Sequence, residues 1–150
     1  MTRRIQTMLA LSMLAVAAGC NGPLPFMSGG ALHADEERPA PMKWSFDEDF
    51  AIAQLETAPD APYSVNIAYT QIDGRLYIHA GDTRTTWVEH MEENPAVRLR
   101  VGDVLYVAEA ERVTDPTEIT RFARVWTDQS MFHRDPDELE EVWLYRLGPP

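Results

Sequence analysis

The chain has 150 residues, enough for one modest domain, and 45% of them are apolar, which supplies material for a core. It carries 24 acidic against 13 basic residues, a formal charge of −11, and a surface of that sign repels phosphate backbones and argues against nucleic acid as a partner. A single cysteine excludes an internal disulfide, so stability must come from packing.

The first element is Thr2-Arg3-Arg4 followed by an apolar run, Ile5 to Ala18, interrupted only by Gln6, Thr7 and Ser12. Ala17-Ala18-Gly19 closes the run with small residues just before Cys20. A charged start, a short apolar stretch and a small-residue processing site make a secretory signal over residues 1–19, too short to span a bilayer. Cys20 directly after those small residues resembles the lipobox of bacterial lipoproteins. The resemblance implies cleavage before Cys20, lipid on Cys20, and stable anchoring once two or more acyl chains are attached. Asn21 in place of Asp implies, by the same resemblance, the outer membrane, with the domain facing the periplasm. An ordinary signal peptide with an incidental cysteine is the plainer alternative. Arg3-Arg4 also resembles a twin-arginine start, but Gln6 and Thr7 stand where that motif has apolar residues. Removal of residues 1–19 leaves 11 basic against 24 acidic residues, a formal charge of −13. Such a body stays off anionic lipid, so the lipidated cysteine, not the protein surface, is the expected membrane contact.

Residues 20–43 are rich in Gly, Pro, Ala and acids and have no period, which predicts a flexible tether reaching tens of Å in order of magnitude. The folded domain is expected over 44–150. Ser45 with Glu48 three residues on has the form of a capping box, and Phe50, Ile52 and Leu55 follow, predicting a helix over about 46–56. Tyr63 to Tyr69 alternates, as a half-buried strand does. Asp73-Gly74 is a hairpin turn, and Leu76 to Ala80 returns as the second strand. Thr86 with Glu89 predicts a helix from Trp87 to Asn94-Pro95, with Trp87 and Met91 on one face. Val97, Leu99 and Val101 alternate with Arg98 and Arg100, Gly102-Asp103 turns the chain, and Val104 to Glu111 is a long partner strand. Asp115-Pro116-Thr117-Glu118 starts a third helix, with Ile119, Phe122, Ala123 and Trp126 at helical spacing. A loop over 128–137 and an acidic DELEE run precede a last strand over 142–147. Hairpins dominate this order, so the fold class is α+β: a mainly antiparallel split β-barrel with short flanking helices.

The succession strand–DGR–strand, Gly81, TTWVEHMEENP, VRLRV, GD and a long strand resembles the split-barrel flavoproteins. These comprise the pyridoxamine-phosphate-oxidase-like family and the deazaflavin-dependent nitroreductases. Trp87, Met91, Asn94 and Pro95 match a W-x-x-x-L-x-x-N-P helix of the latter, with Met for Leu. The resemblance covers about residues 63–147. It implies a cofactor, FMN or a deazaflavin, held between two subunits, and hence a homodimer. It places Arg84, Thr85 and Thr86 at the cofactor phosphate, before a helix N-terminus that favours anions, and Trp87 beside the ring. Two departures stand out. The strand Tyr63–Tyr69 lacks the basic residue that holds the flavin phosphate in the oxidase-like family, and the upstream basic, glycine-rich segment of the deazaflavin family is missing.

Each candidate residue also has a structural role open to it. Asp82 to Thr86 would serve equally as a capped solvent loop, and Trp87 as the anchor of a short helix on the barrel. Arg98 and Arg100 would grip a phosphate at a dimer seam or pair with acids on a strand face. Tyr77, Trp143 and Tyr145 would suit a subunit seam or fill a barrel on both sides of its wall. His79, His90 and His133 lack ligand spacing, so no metal is expected. No Gly-x-Ser-x-Gly nucleophile stretch exists and no carboxylate pair stands out, so catalytic residues are not assignable. Two functions follow: an envelope-anchored small-molecule oxidoreductase whose flavin carries the hydride, or a cofactor-free barrel acting as a binding or envelope-assembly module.

Overall fold

The computed structural model describes residues 22–129 and 142–150. The signal, Cys20, Asn21, His133 and the DELEE run lie outside the described residues. Seven strands and two helices are described: β1 (Glu36–Pro39), β2 (Phe50–Thr57), β3 (Tyr63–Ile72), β4 (Arg75–His79), α1 (Thr86–Glu93), β5 (Ala96–Val101), β6 (Val104–Arg112), α2 (Pro116–Gln129) and β7 (Leu144–Gly148).

Six strands run antiparallel in the order β6-β5-β2-β3-β4-β7, and β7 pairs back with β6 to close a barrel. β6 makes the closure by its length. One edge pairs with β5 from Val104 to Glu109; the other pairs with β7 from Glu109 to Arg112. The remainder of that second edge, Val104–Val107, takes β1 in parallel. The β3–β4 turn is made by Asp73 and Gly74 at φ 50° and 79°, the positive values a two-residue hairpin needs.

Closure gives each strand an inside and an outside. Inside lie Trp44, Leu55, Ile67, Tyr69, Leu76, Ile78, Leu99, Tyr145 and Leu147, all buried. The Trp44 indole N–H donates to the Leu147 carbonyl at 2.8 Å and its ring meets Tyr106 edge-on at 5.1 Å. α1 adds Trp87, Val88 and Met91 to this core. Outside, α2 lays Phe122 over Tyr77, Val113 and Leu144 to form a second, smaller core. Asp115 caps α2 through its carboxylate, which accepts from Thr117 N–H at 2.9 Å.

Three expectations are corrected. The predicted helix over 46–56 is strand β2. Its inward residues are Ala51, Ala53 and Leu55 at period two, while Ile52 is 66% exposed; β3 and β5 pair along both of its edges and override the local pattern. Ser45 and Glu48 therefore cap nothing helical there. The predicted cap of α1 also shifts by one residue. Thr85 holds the N-cap position, without a side-chain cap hydrogen bond. The third correction concerns the described part of the tether. Leu32 is 1% exposed, Gly29 pairs with Ser64, and β1 joins the sheet, so the domain begins well before Trp44.

A buried ion pair holds that segment down. Arg98 grips Glu56 bidentately, with Nε and Nη2 each at 2.8 Å, and Glu56 is 4% exposed. Glu56 also accepts the Leu32 N–H, and Arg98 donates to the Leu32 carbonyl at 3.3 Å and to Glu37 at 3.2 Å. Both Glu56 carboxylate oxygens and all three Arg98 nitrogens thus find partners, the condition under which a buried pair is tolerated. Leu32→Ala is expected to cost about 2–4 kcal/mol in urea denaturation, and a chain beginning at Trp44 to lose more. Unchanged midpoints in both would restore the tether.

Candidate functional site

The loop after β4 holds the four residues that sequence reasoning assigned to a cofactor. Gly81 turns the chain at φ 63°, and Thr85 O accepts the first helical bond from Glu89 N at 3.1 Å. Arg84, Thr85, Thr86 and Trp87 are thus brought to one helix start, as expected. Their side chains do not make a phosphate cradle. Arg84 donates from Nε to Glu92 at 2.8 Å and from Nη1 to Glu89 at 3.4 Å. The Glu92 hydrogen bond raises the Arg84 pKa above its ordinary value, a sign of a cation already compensated. Glu89 and Glu92 both contact this one arginine, so its positive charge is locally outweighed. Thr86 is exposed. The Thr85 hydroxyl is buried with no hydrogen-bond partner among the described residues, the one feature of the loop that would favour a ligand.

Trp87 is 8% exposed and belongs to the barrel core, edge-on to Tyr145 at 6.4 Å. It anchors α1. The helix is further fixed by His90, whose Nδ1 lies 3.0 Å from Thr57 Oγ1 and whose ring meets Tyr63 edge-on. The residues of this loop do not fit a flavin phosphate and ring.

The three aromatic residues take the second of their two expected roles, filling the barrel on both sides of its wall. Tyr77 faces outward beneath α2, whereas Trp143 and Tyr145 lie in the barrel core; all three are buried within the chain. Arg98 takes the acid-paired alternative, and Arg100 donates to the His33 carbonyl at 3.1 Å. No group of three metal-ligating side chains occurs among the described residues.

A charged cluster that the sequence did not reveal lies beside the barrel end. Glu118 of α2 accepts from Tyr77 Oη at 2.6 Å, Arg146 at 3.0 Å and Arg75 at 3.1 Å, and Arg146 also holds Glu111 at 2.7 Å. Burial opposes the Glu118 charge, but the Tyr77 hydrogen bond and the two arginines win, holding its carboxyl below the usual range. Burial, then the Glu118 bond, raises Tyr77 above the phenolic norm. Arg75 and Arg146 also line a groove of about 550 Å³, with Trp44, Glu109, Glu111 and Gly148. That size suits a small ligand. These partners are 28 and 43 residues apart in sequence, so only pairing of β4 with β7, at Tyr77↔Arg146, brings them together.

Comparison with known proteins bears on the fold. A crystal structure of a candidate pyridoxamine 5′-phosphate oxidase from Listeria innocua superposes with a TM-score of 0.52 at 16% identity, covering 65% of this chain and 82% of that one. The chain is a split barrel. The crystal structure of a FAD-binding protein from Mesorhizobium loti superposes with a TM-score of 0.50 at 23% identity, over 65% and 78% of the two chains. No family model matches this split barrel, and no curated protein is similar to it in sequence. The likeness is one of architecture, shared over 65% of this chain.

One titratable group is set apart by this architecture. His79 sits between β4 and α2, its ring 5.2 Å from Phe122 and 4.7 Å from Trp126, and its Nδ1 accepts from Gly81 N–H at 3.3 Å. Burial lowers its pKa to about 4 from an ordinary 6.5. Between these values the unfolded chain takes up a proton that the folded chain refuses, so stability rises with pH through the window and is lost as pH falls. The loss is on the order of 3 kcal/mol by pH 4. His79→Phe should flatten this segment of the urea-midpoint profile between pH 7 and 4; an unchanged difference from the parent across that range would place the ring in water.

Proposed function

We propose that this chain is an envelope-anchored bacterial lipoprotein, held by lipid on Cys20, whose split-barrel domain is a cofactor-free binding or assembly module. The observation that carries the reading is the commitment of the expected cofactor residues to the fold itself. Arg84 is spent on Glu89 and Glu92, and Trp87 is inside the core. β3 supplies no basic side chain to replace Arg84. The groove bounded by Arg75, Arg146, Glu109 and Glu111 provides a recess of mixed charge, suited to a ligand bearing both signs. The anchoring part rests on the Ala17-Ala18-Gly19-Cys20 sequence and on Asn21, which point to the outer membrane with the domain in the periplasm.

A second reading, an oxidoreductase using FMN or a deazaflavin, is favoured by the fold shared with the FAD-binding protein. In it the cofactor would carry the hydride, and the protein would bind and orient it at a site other than the Arg84 loop.

One preparation distinguishes the two. The protein extracted from membranes in mild detergent is expected to show no visible absorption and no saturable uptake of added FMN. Its intact mass should correspond to a chain beginning at a lipid-modified Cys20. A stoichiometric yellow chromophore would reverse the order of the readings, and if Arg84→Ala then released it, the loop itself would be the site. An unmodified Cys20 would remove the anchor.

A further inference from the structure

The outer surface of β2 and β3 lies outside the cluster that α2 covers, and part of it is exposed and apolar. Cross-strand pairs there are Phe50↔Thr70, Ile52↔Ala68 and Gln54↔Asn66. Phe50 is 36% and Ile52 66% exposed. Beside them lies a turn, Leu24-Pro25-Phe26-Met27, closed by Met27 N–H on Leu24 O at 3.1 Å. Phe26 takes φ 68°, a left-handed value costly for an aromatic residue, and is fully exposed; Leu24 and Met27 are 52% and 65% exposed. The turn is fastened to the wall. Asn66 Nδ2 donates to Leu24 O at 3.1 Å, and Gly29 and Ser64 exchange two backbone bonds of 2.8 and 2.9 Å. Large apolar side chains are thus held outward by backbone geometry, and the Asn66 bond sets Leu24 at the cross-strand row next to exposed Ile52.

The position of the chain start says what covers it. Gly22 sits against the Gln54 side chain, at the next cross-strand row after Ile52. Only Asn21 separates Gly22 from Cys20 along the chain, a reach of about 7 Å at full extension. With residues 29–43 packed on the barrel, no long spacer is left to lift the domain away.

We infer that this face, built from Leu24, Phe26, Met27 and Ile52, is a membrane seat: it rests in the interfacial layer of the bilayer into which Cys20 is anchored. The inference rests on the lipoprotein reading and extends it from an anchored domain to an oriented one. Lipid on Cys20 brings the face to the bilayer, and burial of its apolar side chains holds the domain there; the acids Asp47 to Asp49, beyond Phe50, mark the edge that stays in water.

The test uses the mature, lipidated full chain in vesicles of phosphatidylethanolamine and phosphatidylglycerol, with or without brominated acyl chains. Phe26→Trp places an indole at the turn, Ile52→Trp is a second probe, and Arg124→Trp on the exposed flank of α2 is the control. Bromine should quench the added emission of the first two roughly twofold, as expected for insertion of about 5–10 Å, and leave the control unchanged. Intact mass is read on the same samples. Lipid on Cys20 with unquenched probes overturns the seat and leaves the anchor standing; an unmodified Cys20 overturns both. Probes shielded from brominated lipid and from aqueous iodide alike, in a protein that cross-links as a dimer, would assign the face to a second copy of the chain and overturn the seat.

Discussion

Closure of the barrel through β6 is the constraint on which the rest depends. A nine-residue strand pairs with β5 along one edge and divides the other between β1 and β7. Among the described strands, the closed antiparallel sheet leaves only β1 with a free edge and sorts strand side chains to an inside or an outside. The inside is filled by Trp44, Trp87, Tyr145 and a set of leucines. The outside must be covered piece by piece: α2 covers Tyr77 and Leu144, residues 29–32 cover Ser64 and Glu56, and the row at Ile52 is left. Where cover is missing, the surface acquires a meaning.

Charge economy shapes the remaining chemistry. In a chain with almost twice as many acids as bases, arginines are drawn into acid pairs wherever the fold lets them meet. Arg98 is taken by Glu56 and Glu37, Arg84 by Glu89 and Glu92, Arg146 by Glu111 and Glu118. The Arg98 pair is the one that matters most for stability, because Glu56 is buried and would be left uncompensated if Arg98 were lost. The exposed Arg84 pairs contribute little to stability, and a guanidinium held by two carboxylates is poorly placed to receive a phosphate.

How much was legible in the sequence differs by element. The hairpin at Asp73-Gly74, the alternation from Tyr63, the helix at Trp87 and the Asp115 cap are local features, decided by one turn or one period, and the structure has them. β2 was misread because Phe50, Ile52 and Leu55 suit a helical face while Ala51 and Ala53, the residues that turn inward, carry little hydrophobic signal. The segment before Trp44 was misread because Gly, Pro and acids mark a linker in isolation, and its one buried leucine is recognisable only beside Glu56 and Arg98. The Tyr77–Arg146–Glu118 cluster was invisible because its members meet only when β4 and β7 pair.

The sequence by itself determined the class of fold, the order of most strands and the acidic surface, because these are properties of composition, period and neighbouring residues. Only the tertiary structure decided that residues 29–43 belong to the barrel, that Trp87 is core and Arg84 already paired, and that an apolar face stands beside the chain's start. Those outcomes depend on which residues, distant along the chain, compete for the same partner, and a barrel resolves that competition only when its last strand closes on β6.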